Sequence, residues 1–339
     1  MTIKAMALAA LATVLAAPVA PAAAQELSFD QYVEVLKARA RAEGVSEGTL
    51  QRMTAGLTAN SRVIELDRGQ PGSPTRSGFP SMANYINRHV DAARIRGGRQ
   101  TLASTRAIGQ AVEREYGVPH EVLVAIWGHE TNYGSFRGNF DLSRSLATLA
   151  WEGRRRELFS REWVDLMKIA DRGFSRSQLV GSWAGAFGNP QFLPSVYLRL
   201  ATDGDGDGQA DIFTNRADTL HSIARYFQDA GWRTGQPWGV RASVPANLDR
   251  SAIANKVRSP VCPRVHDRHS RWMTVDEWRA MGVRPQRPLD GDVMASLFQP
   301  DGPNAPAWLL TANYRVILEY NCSNYYAMSV GLLADEIAR

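Results

Sequence analysis

The chain of 339 residues is poor in cysteine and lysine, with two Cys and four Lys, so arginine supplies nearly all of its 39 basic side chains. It contains no HExxH helix, P-loop or CxxC pair, and its six histidines are scattered. These absences exclude the usual patterns of zinc peptidases, P-loop NTPases and dithiol oxidoreductases. Beyond the N-terminus, no stretch approaches the roughly 20 apolar residues that a membrane-spanning helix requires.

The N-terminal segment MTIKAMALAALATVLAAPVAPAAAQ carries one Lys, an apolar run and small residues at its end. Ala22-Ala23-Ala24 fits the A-x-A pattern before a cleavage site, which predicts a secretory signal peptide over residues 1–24. No cysteine follows the apolar run, so we expect an exported protein without a membrane anchor.

The two cysteines, Cys262 and Cys322, are a disulfide candidate, because exported proteins meet an oxidising compartment. Closing this loop would contribute about 4 kcal/mol if the bond acts on the entropy of the unfolded chain. Two free buried thiols are the alternative, since the sequence does not supply the geometry that a disulfide needs.

The formal net charge is +5, and charges of both signs are interspersed, as in the EGRRRE run at residues 152–157. Such mixing is typical of a solvated face. The sequence has no basic helix or recognisable nucleic-acid-binding module, so no nucleic-acid partner is expected. A mildly basic exported protein is nevertheless compatible with an anionic polymer as partner.

Helical patterns dominate most of the chain, which predicts a mainly α (α+β) fold. Residues 25–235 form the expected helical body, 236–312 are rich in proline and predict a small irregular α+β lobe, and 313–339 return to helical texture. Ser28 and Gln31 match a capping box before the first helix. Besides the helix that contains Glu130, helices are predicted over residues 81–95, 99–116, 143–170, 175–188, 215–230 and 273–281, with a loop over 69–80.

The stretch AIWGHETNYG places Glu130 where an apolar side chain is expected. Leu123, Ile126 and Trp127 fall at i, i+3 and i+4 of a helix and define one apolar stripe, and Glu130 follows at i+7. An inward carboxylate is either a structural group paired with an Arg or a neighbouring helix end, or a catalyst with a perturbed pKa. The helix pattern alone leaves both interpretations open.

Two further clusters are rich in hydrogen-bonding or aromatic groups. The segment GSWAGAFGNPQFLPS at residues 181–195 combines small residues with Ser182 and Gln191, and its alternative is plain helix–helix contact. Residues 320–326 read YNCSNYY, and together with Tyr226 they suit stacking on sugar faces. Ordinary interior aromatic packing is the alternative for the second cluster.

The segment DGDGDGQAD at residues 203–211 resembles the first half of an EF-hand calcium loop. Asp203, Asp205 and Asp207 stand at loop positions 1, 3 and 5, and carboxylates this close repel one another unless a cation neutralises them. Thr214 occupies position 12, where a bidentate Glu belongs, and Asp218 can serve there only in a longer loop. An acidic surface turn is the alternative.

These clusters, in this order, resemble the membrane-bound lytic transglycosylase B family of bacterial cell-wall enzymes. The similar segments are GVPHEVLVAIWGHETNYG, GSWAGAFGNPQFLPSVYLRLATDGDGDG, IARYFQDAGW and ILEYNCSNYYAMSVGLLADEI, and weaker likenesses extend over nearly all of the chain after the signal peptide. The resemblance implies a lysozyme-like helical body with an inserted β-containing lobe. In some family members an EF-hand-like calcium loop is also present.

Carried over residue by residue, the resemblance makes Glu130 the single catalytic acid/base. It implies that the glycan cleft is lined by Ser182, Gln191, Tyr226, Tyr320, Asn321 and Tyr326. It implies calcium ligands at Asp203, Asp205, Asp207, the backbone carbonyl of Gln209, and Asp218. Three features depart from the family pattern: His129, the Asn189-Pro190 pair, and a calcium loop that is slightly long.

The implied activity is non-hydrolytic cleavage of the β-1,4 bond between N-acetylmuramic acid and N-acetylglucosamine in peptidoglycan, which leaves 1,6-anhydromuramic acid ends. Glycan strands would be the partner, the periplasm the location, and a structural Ca²⁺ the only cofactor, with none needed for catalysis. The alternatives are a hydrolytic muramidase and a non-catalytic peptidoglycan-binding or scaffold protein.

Overall fold

A computed structural model describes residues 27–70 and 81–339 of the chain. The predicted signal peptide and most of the predicted 69–80 loop therefore lie outside the described residues. The helices of the first half are α1 (Phe29–Ala42), α2 (Glu47–Thr54), α3 (Ser61–Arg68), α4 (Met82–His89), α5 (Ala92–Ser104), α6 (Arg106–Tyr116), α7 (His120–Thr131), α8 (Leu142–Glu152) and α9 (Arg156–Asp171). They are followed by α10 (Pro194–Leu200), α11 (Arg216–Asp229), α12 (Pro263–His266), α13 (Val275–Ala280), α14 (Ala312–Tyr320) and α15 (Asn324–Ile337).

The strands are short and fall into two antiparallel sheets. A two-stranded ribbon pairs β1 (Phe140–Asp141) with β2 (Val180–Gly181). The larger sheet has the order β4-β6-β7-β3-β5, with β3 (Gly239–Ser243), β4 (Trp272–Thr274), β5 (Arg284–Pro285), β6 (Met294–Phe298) and β7 (Ala307–Leu310). A helical body with two small antiparallel sheets confirms the predicted mainly α fold class.

Three apolar clusters hold these elements together. One joins α1, α2, α8, α9 and α10, and a second surrounds α7 and α15. The third lies under the larger sheet, where Trp278 of α13 is fully buried and donates its indole N–H to the carbonyl of Ala295 at 3.0 Å. No helix within residues 27–70 and 81–339 is both long and apolar enough to cross a membrane.

Side-chain caps explain several helix boundaries. The predicted capping box at the start of α1 is confirmed, because Ser28 and Gln31 each accept the other's backbone N–H. Asp91 caps α5 by accepting from two backbone N–H groups, which divides the predicted 81–95 helix. Gly153 adopts φ 97° after α8, so the predicted 143–170 helix is two helices. The 273–281 helix begins later than predicted, because Thr274 and Glu277 form its capping box.

The predicted helix over residues 175–188 is wrong. The segment instead forms turns, β2 and isolated bridges from Gly181 to Phe187 and from Phe187 to Phe192. Gly185 has φ 97°, a conformation that L side chains rarely adopt and that interrupts a helix. A Cβ on Gly181 would lie 2.3 Å from the carbonyl oxygen of Ala186, so the close turn requires glycine there.

The disulfide is present between Cys262 and Cys322, with their Cα atoms 5.4 Å apart. The alternative of two free thiols is therefore wrong. The bond joins the sheet-containing lobe to the short connection between α14 and α15. That connection also carries Asn321, so the cross-link lies beside the candidate site.

Candidate active site

Helix α7 is buried on all sides for most of its length. Leu123, Val124 and Ile126, which point in different directions around the helix, are all fully inaccessible to solvent. Glu130 lies in its last turn, where the residue regains partial solvent access. The helix ends at Asn132 and Tyr133, which have φ of 49° and 60°. Such positive φ values in consecutive non-glycine residues require support from the surrounding structure.

Tyr133 supplies that support by anchoring the end of α7 to α5. Its hydroxyl donates to the carbonyl of Arg94 at 2.7 Å. Its ring fits only because two facing residues lack side chains: a Cβ on Gly128 would lie 2.6 Å from the ring, and one on Gly97 would lie 2.8 Å from it. The last turn of α7, and with it Glu130, is therefore held in a fixed position.

The environment of the Glu130 carboxyl raises its pKa to about 7, because the surrounding protein removes water that would solvate the charged form. Tyr326 of α15 donates its hydroxyl to Glu130 Oε1 at 2.5 Å, and this hydrogen bond lowers the pKa. Desolvation is the larger effect. Glu130 can therefore gain and lose a proton near neutral pH. A Glu with a purely structural role in an ion pair would not need this property.

Two more tyrosines line the same region. The Tyr226 and Tyr320 rings lie 4.6 Å apart between centroids. Tyr320 donates its hydroxyl to the carbonyl of Pro190 at 2.6 Å, and Tyr226 donates to the carbonyl of Glu319 at 2.9 Å. Burial raises the pKa of Tyr226 to about 12 and that of Tyr320 well above its usual value. Both hydroxyls therefore remain protonated donors.

The 181–192 segment brings the remaining predicted residues toward this group. Gln191 adopts φ 52°, and its amide donates to the carbonyls of Gly188 at 3.0 Å and Arg137 at 3.3 Å. Phe192 packs against both Tyr226 and Tyr320, at 5.9 and 6.2 Å between ring centroids. Gln191 is consequently fixed beside the tyrosine pair.

Ser182 and Asn321 are the predicted cleft residues with the fewest contacts to this group. The Ser182 hydroxyl accepts the Ala186 N–H at 2.9 Å, and the Ser182 N–H donates to the Ala186 carbonyl at 2.7 Å. Its observed bonds thus stabilise a turn. Asn321 is exposed directly after Tyr320 and donates its N–H to the Ile317 carbonyl at 3.4 Å.

The link between α7 and the 181–192 segment was not predicted from the sequence. Thr131, next to Glu130, donates its hydroxyl to the carbonyl of Asn189 at 3.1 Å. The buried Asn189 side chain donates to Thr219 of α11 at 3.0 Å, and its N–H donates to the carbonyl of Ile212 at 2.8 Å. The only available signal was the departure of Asn189-Pro190 from the family pattern.

His129, another departure, also contributes to the site. Its ring lies 5.7 Å from that of Tyr326 and 6.4 Å from that of His89 between centroids. Burial lowers the pKa of His129 to about 3, so the imidazole is neutral at physiological pH. The neutral ring packs against Tyr326. It places no positive charge beside Glu130, where such a charge would lower the pKa of the carboxyl.

The acidic loop at residues 203–218 brings three carboxylates together. One oxygen each from Asp203, Asp205 and Asp218 lie within 4.8 Å of one another. Asp218 is fully buried, accepts the N–H of Gly204 at 2.8 Å, and its pKa is raised mainly by burial. Clustered carboxylate oxygens are the ligands that Ca²⁺ prefers, and a buried carboxylate gains from a compensating cation. These three residues therefore fit a calcium ion.

The other two predicted ligands have different partners. Asp207 lies outside the group of three carboxylates, and its side chain accepts the N–H of Gln209 at 2.9 Å. The backbone carbonyl of Gln209 accepts the N–H of Asp211 at 3.0 Å. Thr214, at the position of the missing Glu, donates its hydroxyl to Asp211.

Known proteins are similar to this chain in sequence and fold. The family described as "Transglycosylase SLT domain" matches residues 28–335. The membrane-bound lytic murein transglycosylase B of Escherichia coli (strain K12) is 34% identical over 226 residues, which cover 66% of this chain and 58% of that protein. The chain thus spans less than two thirds of the length of that relative.

Solved structures resemble the fold over most of its length. SltB3 from Pseudomonas aeruginosa, in complex with NAG-anhNAM-pentapeptide, is similar with a TM-score of 0.82 and 38% identity, covering 92% of this chain and 80% of that chain. The Escherichia coli lytic transglycosylase Slt35, in complex with calcium, has a TM-score of 0.74 and 27% identity, covering 93% and 94%. The predicted lysozyme-like body agrees with these neighbours.

Proposed function

This chain belongs to the transglycosylase SLT domain family, and from that membership we propose that it is a peptidoglycan lytic transglycosylase. It cleaves the β-1,4 bond between N-acetylmuramic acid and N-acetylglucosamine and leaves 1,6-anhydromuramic acid ends. The observation that carries the proposal is the desolvated Glu130 carboxyl, whose pKa of about 7 suits one group acting as acid and then as base.

The surroundings of Glu130 favour a single acid/base over a carboxylate pair. Hydrolytic glycosidases hold two carboxyl groups about 5–9.5 Å apart. A second carboxylate at the short end of that range would raise the pKa of Glu130 by charge repulsion. Burial raises the pKa of Glu130 and the Tyr326 hydrogen bond lowers it, with no second carboxylate among these causes. This supports a single acid/base over a closely spaced carboxylate pair.

The reaction proceeds in two steps at C1 of the muramic acid. Protonated Glu130 donates its proton to the glycosidic oxygen as the bond from C1 to that oxygen breaks, and the N-acetyl group stabilises the positive charge at C1. The ionised Glu130, which accepts a hydrogen bond from Tyr326, then takes the proton of the C6 hydroxyl. The C6 oxygen forms the new bond to C1, so no water is consumed and Glu130 is again protonated.

Mass spectrometry of the released fragments tests this proposal against its alternatives. Purified sacculi are digested, and the reducing ends of the soluble fragments are analysed. Anhydro ends are expected, whereas a hydrolytic muramidase would give ends heavier by one water. A non-catalytic binding protein would associate with sacculi and release no fragments over long incubation. Either of these results would overturn the transglycosylase assignment.

The pH profile gives an independent prediction. Because cleavage begins with protonated Glu130, kcat/KM should fall as the pH rises through about 7. The Tyr326 hydrogen bond favours the ionised carboxyl, so Tyr326→Phe should raise the pKa of Glu130 and move this falling limb to higher pH. Tyr325→Phe on the same helix is the control and should leave the limb in place. If the falling limb of the pH profile stays in place or moves to lower pH in Tyr326→Phe, the hydrogen bond from Tyr326 does not lower the pKa of Glu130.

We infer the export and the location of the protein from its N-terminal sequence and its family. We propose that residues 1–24 are removed as a signal peptide and that the protein acts on glycan strands in the periplasm. The disulfide between Cys262 and Cys322 supports an oxidising compartment. SltB3 was crystallised with peptidoglycan fragments, which supports glycan strands as the partner.

We also propose that the 203–218 loop holds a structural Ca²⁺ through Asp203, Asp205 and Asp218. The ion would neutralise three carboxylates and take no part in the reaction. The loop is linked to the active site, because the N–H of Asn189 donates to the carbonyl of Ile212 within the loop. Slt35, a structural relative, was crystallised in complex with calcium.

Calcium should therefore raise the thermal stability of the protein. A ligand present at 100 times its Kd stabilises the native state by roughly 2.7 kcal/mol. The midpoint of thermal unfolding is measured in a chelator and in millimolar Ca²⁺. Asp203→Asn combined with Asp205→Asn should abolish the increase, while Asp207→Asn, outside the carboxylate group, should retain it. Equal midpoints for the native sequence in chelator and calcium would overturn the site.

A further inference from the structure

A cavity of about 440 Å³ lies between the last turn of α15 and the β7-β3-β5 side of the larger sheet. None of the candidate active-site residues lines it. Its walls combine aromatic rings with charges of both signs, contributed by Trp238, Arg241, Arg287, Trp308, Asp335 and Glu336. Pockets of this size accommodate small ligands or single residues of a larger one.

The aromatic wall is built by a close approach of Trp238 to α15. A Cβ on Gly331 would lie 2.5 Å from the Trp238 ring, so glycine at this helix position lets the ring pack directly against the helix. In that position, the indole N–H donates to Asp335 Oδ1 at 3.4 Å. The ring and the carboxylate therefore form one corner of the cavity.

Asp335 lacks a close cationic partner among the described residues. Burial raises the pKa of its carboxyl, and the long Trp238 hydrogen bond and the charges of Arg287 and Arg339 only partly offset this effect. Glu336 differs, because its carboxylate forms an ion pair with Arg339. A positively charged group that entered the cavity beside Asp335 would compensate the buried carboxylate and would also contact the Trp238 ring.

Arg241 and Arg287 supply the opposite charge. The Arg241 guanidinium lies 5.5 Å above the centre of the Trp308 ring, which orients it along the cavity wall. Arg287 is exposed and acts on the Asp335 carboxyl only at longer range. Neither arginine forms an ion pair within 4.0 Å with an acidic side chain in residues 27–70 or 81–339. Guanidinium groups without an acidic partner within ion-pair distance are suited to binding a ligand carboxylate.

We propose that this cavity binds a zwitterionic amino-acid group, with its ammonium beside Asp335 and Trp238 and its carboxylate on Arg287 and Arg241. The inference rests on the proposed function, because peptidoglycan stem peptides supply such a group. The free end of a diamino acid in an uncross-linked stem carries an ammonium and a carboxylate on the same carbon. Cross-linking converts that ammonium into a neutral amide, so the cavity distinguishes uncross-linked stems from cross-linked ones.

Binding of meso-2,6-diaminopimelic acid, measured by isothermal titration calorimetry, tests the proposal. We expect saturable binding to one site per chain. Asp335→Asn and Arg287→Gln should each weaken it at least tenfold, because each removes one of the two charge contacts. Arg284→Gln changes a nearby exposed arginine that does not line the cavity, and it should leave the affinity unchanged.

The matched ligand is the same diamino acid acetylated on both nitrogens, which keeps the carboxylates and removes the ammonium charges. It should bind at least tenfold more weakly. Equal affinity for both compounds, or no saturable binding of diaminopimelic acid, overturns the inference. Release of anhydro-ended fragments from intact sacculi tests the proposed function separately. If sacculi are cleaved and the diamino acid does not bind, only the zwitterion site fails; if it binds and sacculi are not cleaved, only the transglycosylase proposal fails.

Discussion

The Glu130→Gln variant should release soluble fragments from purified sacculi about 10²- to 10⁴-fold more slowly than the native sequence, because general acid–base catalysis contributes rate factors of this size. The amide has the shape of the carboxyl but cannot give up a proton to the glycosidic oxygen or take one from the C6 hydroxyl. Its oxygen can still accept the Tyr326 hydrogen bond, so the site geometry should persist. Initial rates of fragment release provide the measurement.

Glu121→Gln is the matched control for this variant. Glu121 lies in the first turn of the same helix, and burial also raises its carboxyl pKa, but it contacts none of the candidate site residues. Its substitution should leave the rate nearly unchanged. Turnover close to that of the native sequence in Glu130→Gln would refute the acid/base assignment, and an equal loss in both variants would indicate a general effect on α7.

The stability of Glu130→Gln follows from the same pKa shift. The folded-state pKa of about 7 exceeds the ordinary value of 4.5, so the folded state binds the proton more tightly than the unfolded state. Stability from this group is therefore fully present below pH 4.5 and is lost as the pH rises toward 7. Glutamine does not titrate, so the variant should be at least as stable as the native sequence at neutral pH. The thermal unfolding midpoint of the variant at neutral pH checks this expectation, and a midpoint no lower than that of the native sequence assigns the loss of activity to the missing carboxyl.

Periodicity could locate Glu130 but could not show its neighbours. The stripe of Leu123, Ile126 and Trp127 correctly indicated a helix with an inward carboxyl at its end. Tyr326 is 196 residues away in sequence, and no local pattern connects the two side chains. Only the resemblance to a family placed Tyr326 in the cleft, and the structure adds that its hydroxyl donates to Glu130.

Local patterns failed where backbone geometry or burial decides the structure. Residues 175–188 have apolar spacing compatible with a helix, yet glycines with positive φ turn this segment into the loop that carries Ser182. The sequence predicted Asp203, Asp205, Asp207 and Asp218 among the calcium ligands, and the folded loop brings carboxylate oxygens of Asp203, Asp205 and Asp218 together. Sequence spacing did not determine which carboxylates converge in a loop of non-standard length.

Removing the disulfide should lower the free energy of unfolding by about 4 kcal/mol. The bond spans 60 residues, and a cross-link of that length restricts the unfolded chain strongly in the chain-entropy account. The double variant Cys262→Ser with Cys322→Ser avoids leaving a reactive single thiol. Guanidinium unfolding of the oxidised native sequence and of the double variant gives the difference in free energy.

The same cross-link also constrains the candidate active site, which gives the measurement a second readout. Cys322 lies between Tyr320 of α14 and Tyr326 of α15, and Cys262 Sγ contacts the carbonyl of Leu318 at 3.5 Å. The double variant should therefore lose activity at lower temperature than the native sequence. A reductant should shift the native protein toward the double variant and leave the variant itself unchanged. Equal unfolding free energies for the two proteins would show that the bond does not stabilise the fold.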